Sequence, residues 1–214
     1  MDGVKIVYQG GEGEIVEKKS RFIATVCPVN SEEDAVRFIE KIKKKYWDAR
    51  HNCHAFVVGE RNEISRCSDD GEPSGTAGLP MLEVLRKNQL SGVAAVVTRY
   101  FGGIKLGAGG LVRAYTGSGS KAVQSCGLAR KILMGTFALS ADAADAGKLL
   151  NIIYQQQLFT VASVEYGQQA RILLYMKQEQ QDEAERWLTE ALNTATQLEQ
   201  VGSEYVEVPA EREK

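Results

Sequence analysis

What this chain has little of narrows its chemistry first. Its 214 residues hold two histidines, His51 and His54. If His51 to Val58 is a strand, alternation puts His51 with Cys53 on one face and His54 with Asn52 on the other. The imidazoles then diverge, and a zinc site is not expected. No cofactor is expected either. The four cysteines, Cys27, Cys53, Cys67 and Cys126, form no Cys-x-x-Cys pair. They read as free thiols of a reducing compartment. Cys27 and Cys126 read as small core residues, and a reactive thiol at Cys53 or Cys67 is the alternative. No apolar run approaches the roughly 20 residues that span a bilayer. Met1-Asp2-Gly3-Val4-Lys5 carries no secretory pattern, so a cytoplasmic location and no membrane partner are expected.

Charge of one sign is also scarce, with a formal net charge of −2. That total hides a contrast between 18 Lys/Arg against 15 Asp/Glu in residues 1–129 and 8 against 13 in residues 130–214. The halves differ by +3 to −5, which suggests two units with different surfaces. Neither is basic enough to bind nucleic acid through its whole surface, so any phosphate contact needs a local patch.

Glycine is plentiful in one place. Between Cys67 and Gly119 lie 11 of the chain's 21 glycines. Eight of them fall in two loops, Ser68-Asp69-Asp70-Gly71-Glu72-Pro73-Ser74-Gly75-Thr76-Ala77-Gly78 and Thr98-Arg99-Tyr100-Phe101-Gly102-Gly103-Ile104-Lys105-Leu106-Gly107-Ala108-Gly109-Gly110. Glycine is costly to order, so such density points to positive φ or to close backbone approach. Arg99, Lys105 and Arg113 alternate with Gly102, Gly103, Gly107, Gly109 and Gly110, just where a helix should begin. Bare amides at a helix start with cations beside them favour an anion. The expectation is that the three cations converge into one pocket. Gly102-Gly103-Ile104-Lys105 lacks the ending of a triphosphate loop, and Val112 stands where the dinucleotide fingerprint needs glycine, so both of those readings are set aside.

The remaining pattern gives an outline. Gly10 to Gly13 reads as a turn, Ser20 to Val29 as a strand, and Lys18, Lys19 and Arg21 as either a solvated strand end or a basic addition to the glycine-loop surface. Ser31 opens a helix with Ala35, Ile39, Ile42 and Tyr46 on one face. Ile64 to Cys67 and Val93 to Val97 read as strands. Thr76 is the expected cap of a helix carrying Met81, Leu82, Val84 and Leu85. Gly117 and Gly119 lie in a helical stretch and predict close packing on a sheet. Phe101 reads as a core residue, whereas Tyr100 suits core or stacking. A domain boundary is placed at 128/129. Residues 129–208 then read strand 132–140, helix from Asp142, strands 159–166 and 170–176, helix 181–192 and strand 197–208. This is a ferredoxin-like βαββαβ order. Residues 209–214 form a polar tail.

Several of these runs carry a family resemblance. Asp69 to Gly78, Val96 to Gly107, Lys18-Lys19-Ser20-Arg21-Phe22-Ile23 and His51-Asn52-Cys53-His54-Ala55 together resemble the IMPACT family, in its bacterial YigZ type. The resemblance spans essentially the whole chain. It implies an α+β fold. Residues 1–128 would resemble the second domain of a small-subunit ribosomal protein and the fourth domain of elongation factor G, with helices on one side of the sheet. The C-terminal unit would resemble that factor's fifth domain. Eukaryotic members of the family act by binding a translation-control protein and actin.

Three functional readings follow. The first is a non-enzymatic regulator or accessory factor linked to translation. It would hold RNA or ribosome phosphate, or an acidic protein surface, through Arg99, Lys105 and Arg113, with Lys19 and Arg21 near by. The second is a metal-assisted hydrolase using Asp69, Asp70 and Glu72, with Ser74 or Thr76 at the substrate. The third is structural, with Asp69, Asp70 and Glu72 paired to Arg99 and Arg113.

Overall fold

Alternation in the sequence builds the first sheet. In the computed structural model, which describes residues 3–59 and 61–209, Ser20–Pro28 (β3) buries Phe22, Ala24 and Val26 on one face. It pairs with Gly11–Glu17 (β2) on one side and Val93–Tyr100 (β7) on the other. His51–Val58 (β4) and Ile64–Ser68 (β5) complete an antiparallel sheet ordered β2-β3-β7-β4-β5. The expected turn ends at Gly10, because β2 already begins at Gly11.

Helices cover both faces of this sheet, which corrects the one-sided expectation. Gly78–Lys87 (α2) and Ala108–Ser125 (α3) pack on the face that carries Phe22, Ala55 and Val97. Glu32–Lys45 (α1) packs Ala35, Ile39 and Ile42 on the opposite face, against Phe56, Val58, Ala94 and Val96. The physical reason is β7, whose residues Val93 to Arg99 are all buried. A strand without polar alternation needs cover on each side. Ser31 caps α1 by accepting from the Asp34 N–H at 3.2 Å, with acidic residues in the first turn and Lys43, Lys44 and Lys45 in the last. Each charge complements the helix dipole.

Close approach between α3 and the sheet depends on the strand, not the helix. A Cβ at Gly13 would lie 2.6 Å from the Ala122 nitrogen, so only glycine fits there. Gly117 meets the Ile15 side chain at an ordinary 3.6 Å, and nothing lies within 4 Å of a Cβ at Gly119. The helix thus packs closely on the sheet as expected, with its tightest approach at Gly13 rather than at the helical glycines.

Val4–Gln9 (β1) pairs in parallel with Leu90–Ser91 (β6) and antiparallel with the start of Gly127–Asp142 (β8). The chain divides into two compact units, one of residues 1–131 with 207–214 and one of residues 132–206. The 128/129 position thus falls inside β8, a continuous strand.

In the second unit β8 is followed by Ala146–Ile153 (α4), Thr160–Tyr166 (β9), Gln169–Met176 (β10), Gln181–Leu192 (α5) and Glu199–Pro209 (β11). The sheet runs β11-β8-β10-β9, the order of a ferredoxin-like unit. Its core gathers Phe137, Leu149, Ile153, Ile172, Leu174 and Leu188. α4 starts at Ala146, not at Asp142, because Asp142 to Asp145 form a turn closed by the Asp145 N–H to the Asp142 carbonyl at 2.9 Å. The expected tail beyond Pro209 lies outside the described residues, as do Met1 and Asp2.

Candidate anion site at the start of the third helix

The first glycine loop is tied down by its own carboxylates. Asp69 accepts from the N–H groups of Gly75 at 2.8 Å, Ala77 at 3.0 Å and Gly78 at 2.8 Å. It therefore caps the start of α2 from outside the helix. Burial pushes the Asp69 carboxyl up, and the three amide donors outweigh it and hold it below the usual range. Thr76 is not the cap. Its hydroxyl donates to the Pro73 carbonyl at 2.6 Å, and Ala77 occupies the cap position. Asp70 accepts from the Asn52 N–H at 2.7 Å and pairs with Lys43 at 3.3 Å. Ser74 is exposed.

Glu72 turns inward. Arg99 Nη1 donates to Glu72 Oε1 at 2.6 Å, and the Tyr115 hydroxyl donates to the same oxygen at 2.9 Å. The Arg99 and Glu72 side chains are 8% and 3% exposed. The guanidinium lies 5.4 Å from the Phe22 ring and 5.6 Å from the Phe101 ring. Those ring faces favour a cation that has lost water. Among the described residues Arg99 Nε has no hydrogen-bond partner. The Cys53 thiol donates to the Asp69 carbonyl at 2.9 Å, and burial pushes it up to about 12. Burial, with Cys53 and Glu72 adding to it, also raises the Tyr115 phenol. Cys53 is thus an inert buried thiol, while Cys67 is exposed and Cys27 and Cys126 are half-buried rather than core.

The second loop borders a cavity of about 700 Å³. Arg99, Lys105, Gly107 and Ala108 line it, together with Arg50 and His51. His51 Nδ1 donates to the Asp70 carbonyl at 2.9 Å. The α3 helix enters here with Gly107 as its cap residue and has neither a side-chain cap nor an acidic residue in the first turn. Two carboxylates also reach the lining. Glu72 is engaged by Arg99, and Asp48 accepts from the Tyr100 hydroxyl at 2.7 Å. That bond, with some burial, raises the Tyr100 phenol to about 12. Lys105 and Arg50 form no ion pair among the described residues. The site thus combines uncapped helical amides with two unpaired cations, an arrangement that favours phosphate or carboxylate. Phe101 is 54% exposed and forms a wall of this cavity, not part of the core.

Arg113 is placed elsewhere, so the three cations do not share one pocket. It lines a second cavity of about 210 Å³ with Lys18, Glu17 and Gly110. Helical geometry explains the split, because Arg113 lies more than a turn beyond Ala108. The separation is incomplete. Arg113 Nη1 lies 3.6 Å from a Cβ built on Gly109, so its head reaches back over the first turn. Gly103 and Gly107 both have positive φ. Lys18 and Lys19 form the two-residue β2–β3 turn, with φ of 46° and 65°. Primed hairpin turns require this conformation, and it costs about 1–2 kcal/mol for each non-glycine residue. Gly102 packs directly over the Lys19 backbone, where no side chain fits. Arg21 is drawn away by Glu14 at 2.8 Å.

Arg50 and Tyr115 were not legible as site residues. Arg50 carries no pattern of its own, while an aromatic in the small-residue run Ala114-Tyr115-Thr116-Gly117 is the one available signal for a buried hydroxyl.

Residues 18–123, which contain all of this arrangement except Glu14 and Glu17, match the Impact N-terminal domain family, and residues 139–193 match a domain of unknown function, DUF1949. The IMPACT family member YvyE of Bacillus subtilis is 44% identical over 201 residues, 94% of this chain and 92% of its own length. The chain belongs to the IMPACT family. The family member YigZ of Escherichia coli is 38% identical over 151 residues, covering 64% of this chain and 74% of that protein. A crystal structure of a hypothetical protein superposes with a TM-score of 0.60 at 29% identity and covers 100% of both chains. Among the described residues, no helix of this IMPACT protein is long and apolar enough to cross a membrane.

Proposed function

We propose that this IMPACT protein is a translation-linked accessory factor that holds RNA phosphate at the start of α3. Membership of the family supports the link to translation. One observation carries the RNA contact: Lys105 and Arg50, which form no ion pair among the described residues, stand beside the uncapped first turn of α3 on the wall of a cavity. Exposed Phe101 gives the same wall an apolar face suited to a base. The hydrolase reading finds no comparable support, since Asp69, Asp70 and Glu72 are each engaged by protein partners.

Binding of a fluorescent ribosomal RNA fragment, titrated at several salt concentrations, tests this. Affinity should fall steeply as salt rises, since phosphate contacts release counterions. Lys105→Glu should weaken binding at least tenfold. Affinity that ignores salt, or binding confined to acidic proteins, overturns the RNA assignment.

A further inference from the structure

The two cavities flank a single ridge. Leu106 lines both the larger cavity, beside Lys105, and the smaller one, beside Lys18 and Arg113. The start of α3 divides in the same way, with Gly107, Ala108 and Leu111 lining one cavity and Gly110 and Arg113 the other. Among the described residues, Lys18 and Arg113 form no ion pair, like Lys105. Glu17 contributes one opposing charge to the smaller cavity. Phe101 and Ile104, on the loop leading to the ridge, are 54% and 44% exposed.

We infer that the ligand is a single RNA strand that sets phosphates on both sides of Leu106, one at Lys105 and the α3 amides, the next at Lys18 and Arg113. This rests on the RNA reading above and specifies its ligand. Two cation sites separated by an apolar side chain suit a flexible backbone that bends over the ridge. An RNA duplex keeps its bases paired and stacked, away from Phe101 and Ile104. An unpaired strand offers base faces to such exposed apolar groups. The strained Lys18–Lys19 turn, fixed beneath Gly102, holds the second site in register with the loop that carries the first.

The test compares fluorescent hexauridylate, uridine monophosphate, a duplex RNA of equal charge, inorganic hexaphosphate and vesicles of phosphatidylglycerol with phosphatidylcholine. The full chain carries either Lys105→Glu or Arg113→Glu. Both positions are exposed, and Lys105→Gln and Arg113→Gln serve as milder replacements if either variant loses its circular dichroism. Hexauridylate should bind at least tenfold more tightly than the duplex or the monophosphate. Each charge reversal should weaken it at least fivefold, and weaken the monophosphate less than it weakens hexauridylate. If Arg113→Glu leaves hexauridylate untouched while Lys105→Glu weakens it, the second site is wrong and the RNA reading stands. Equal binding of duplex or hexaphosphate also overturns the single-strand assignment. Tighter binding of vesicles assigns the surface to a membrane, and no binding of any RNA overturns both proposals.

Discussion

Arg99 and Glu72 form a buried ion pair, with Nη1 2.6 Å from Oε1 and both side chains less than a tenth exposed. The pair joins the two glycine loops, which are far apart in sequence. It also explains why Arg99, the most prominent cation of the second loop, has its Nη1 turned toward the protein.

Breaking this pair from one side leaves a buried charge without its partner. Arg99→Ala should cost about 3–5 kcal/mol, read by urea unfolding. The double replacement Arg99→Met with Glu72→Leu should cost clearly less than Arg99→Ala alone, because it removes both charges. Equal losses would show that the pair is not coupled.

Asp69 stabilises α2 only as a carboxylate. Its folded pKa lies below the unfolded value of about 3.9. The stabilisation is therefore complete above that value and disappears as pH falls through the folded pKa. Asp69→Asn should cost about 1–2 kcal/mol at neutral pH, the range of a lost cap. Its stability curve should converge with wild type below pH about 4. Parallel curves down to the lowest pH would remove Asp69 as the titrating cap.

Glycine replacements separate the strand from the helix. Gly13→Ala puts a Cβ 2.6 Å from the Ala122 nitrogen and should destabilise by about 1–3 kcal/mol. Gly119→Ala meets nothing within 4 Å and should stabilise α3 by about 0.4–1 kcal/mol. Thermal unfolding of both variants reads the contrast, and reversed signs would contradict the packing described.

Local signals were legible in the sequence, and tertiary ones were not. Helix α1 was legible from the Ser31 cap and the spacing of Ala35, Ile39 and Ile42, because cap and period are local signals. The order of the second unit was legible for the same reason. The unbroken apolar run of β7 calls for cover on both faces, but which helix returns to which side is not encoded in such a run. Asp69 displaced Thr76 as the cap because a carboxylate eight residues before Ala77 reached the amides through the folded loop. The division of Arg113 from Lys105 is likewise tertiary. Linear spacing grouped them, while the turn of α3 and the Leu106 side chain set them in different cavities.

Thiol chemistry offers an independent check on burial. Cys67 is exposed, whereas Cys53 is buried with its thiol pushed up to about 12. At pH 8 an aromatic disulfide reagent should label Cys67 first and Cys53 only when the protein unfolds. Peptide mapping of the native protein identifies the sites, and fast labelling of Cys53 would contradict the closed core around Tyr115.

The salt dependence of RNA affinity tests the central claim most directly. Wild type and Lys105→Ala are titrated with one RNA strand across a range of salt concentrations, and log affinity is plotted against log salt. A direct phosphate contact predicts weaker binding by Lys105→Ala and a slope shallower by about 1. An unchanged slope with unchanged affinity would contradict phosphate binding at the start of α3.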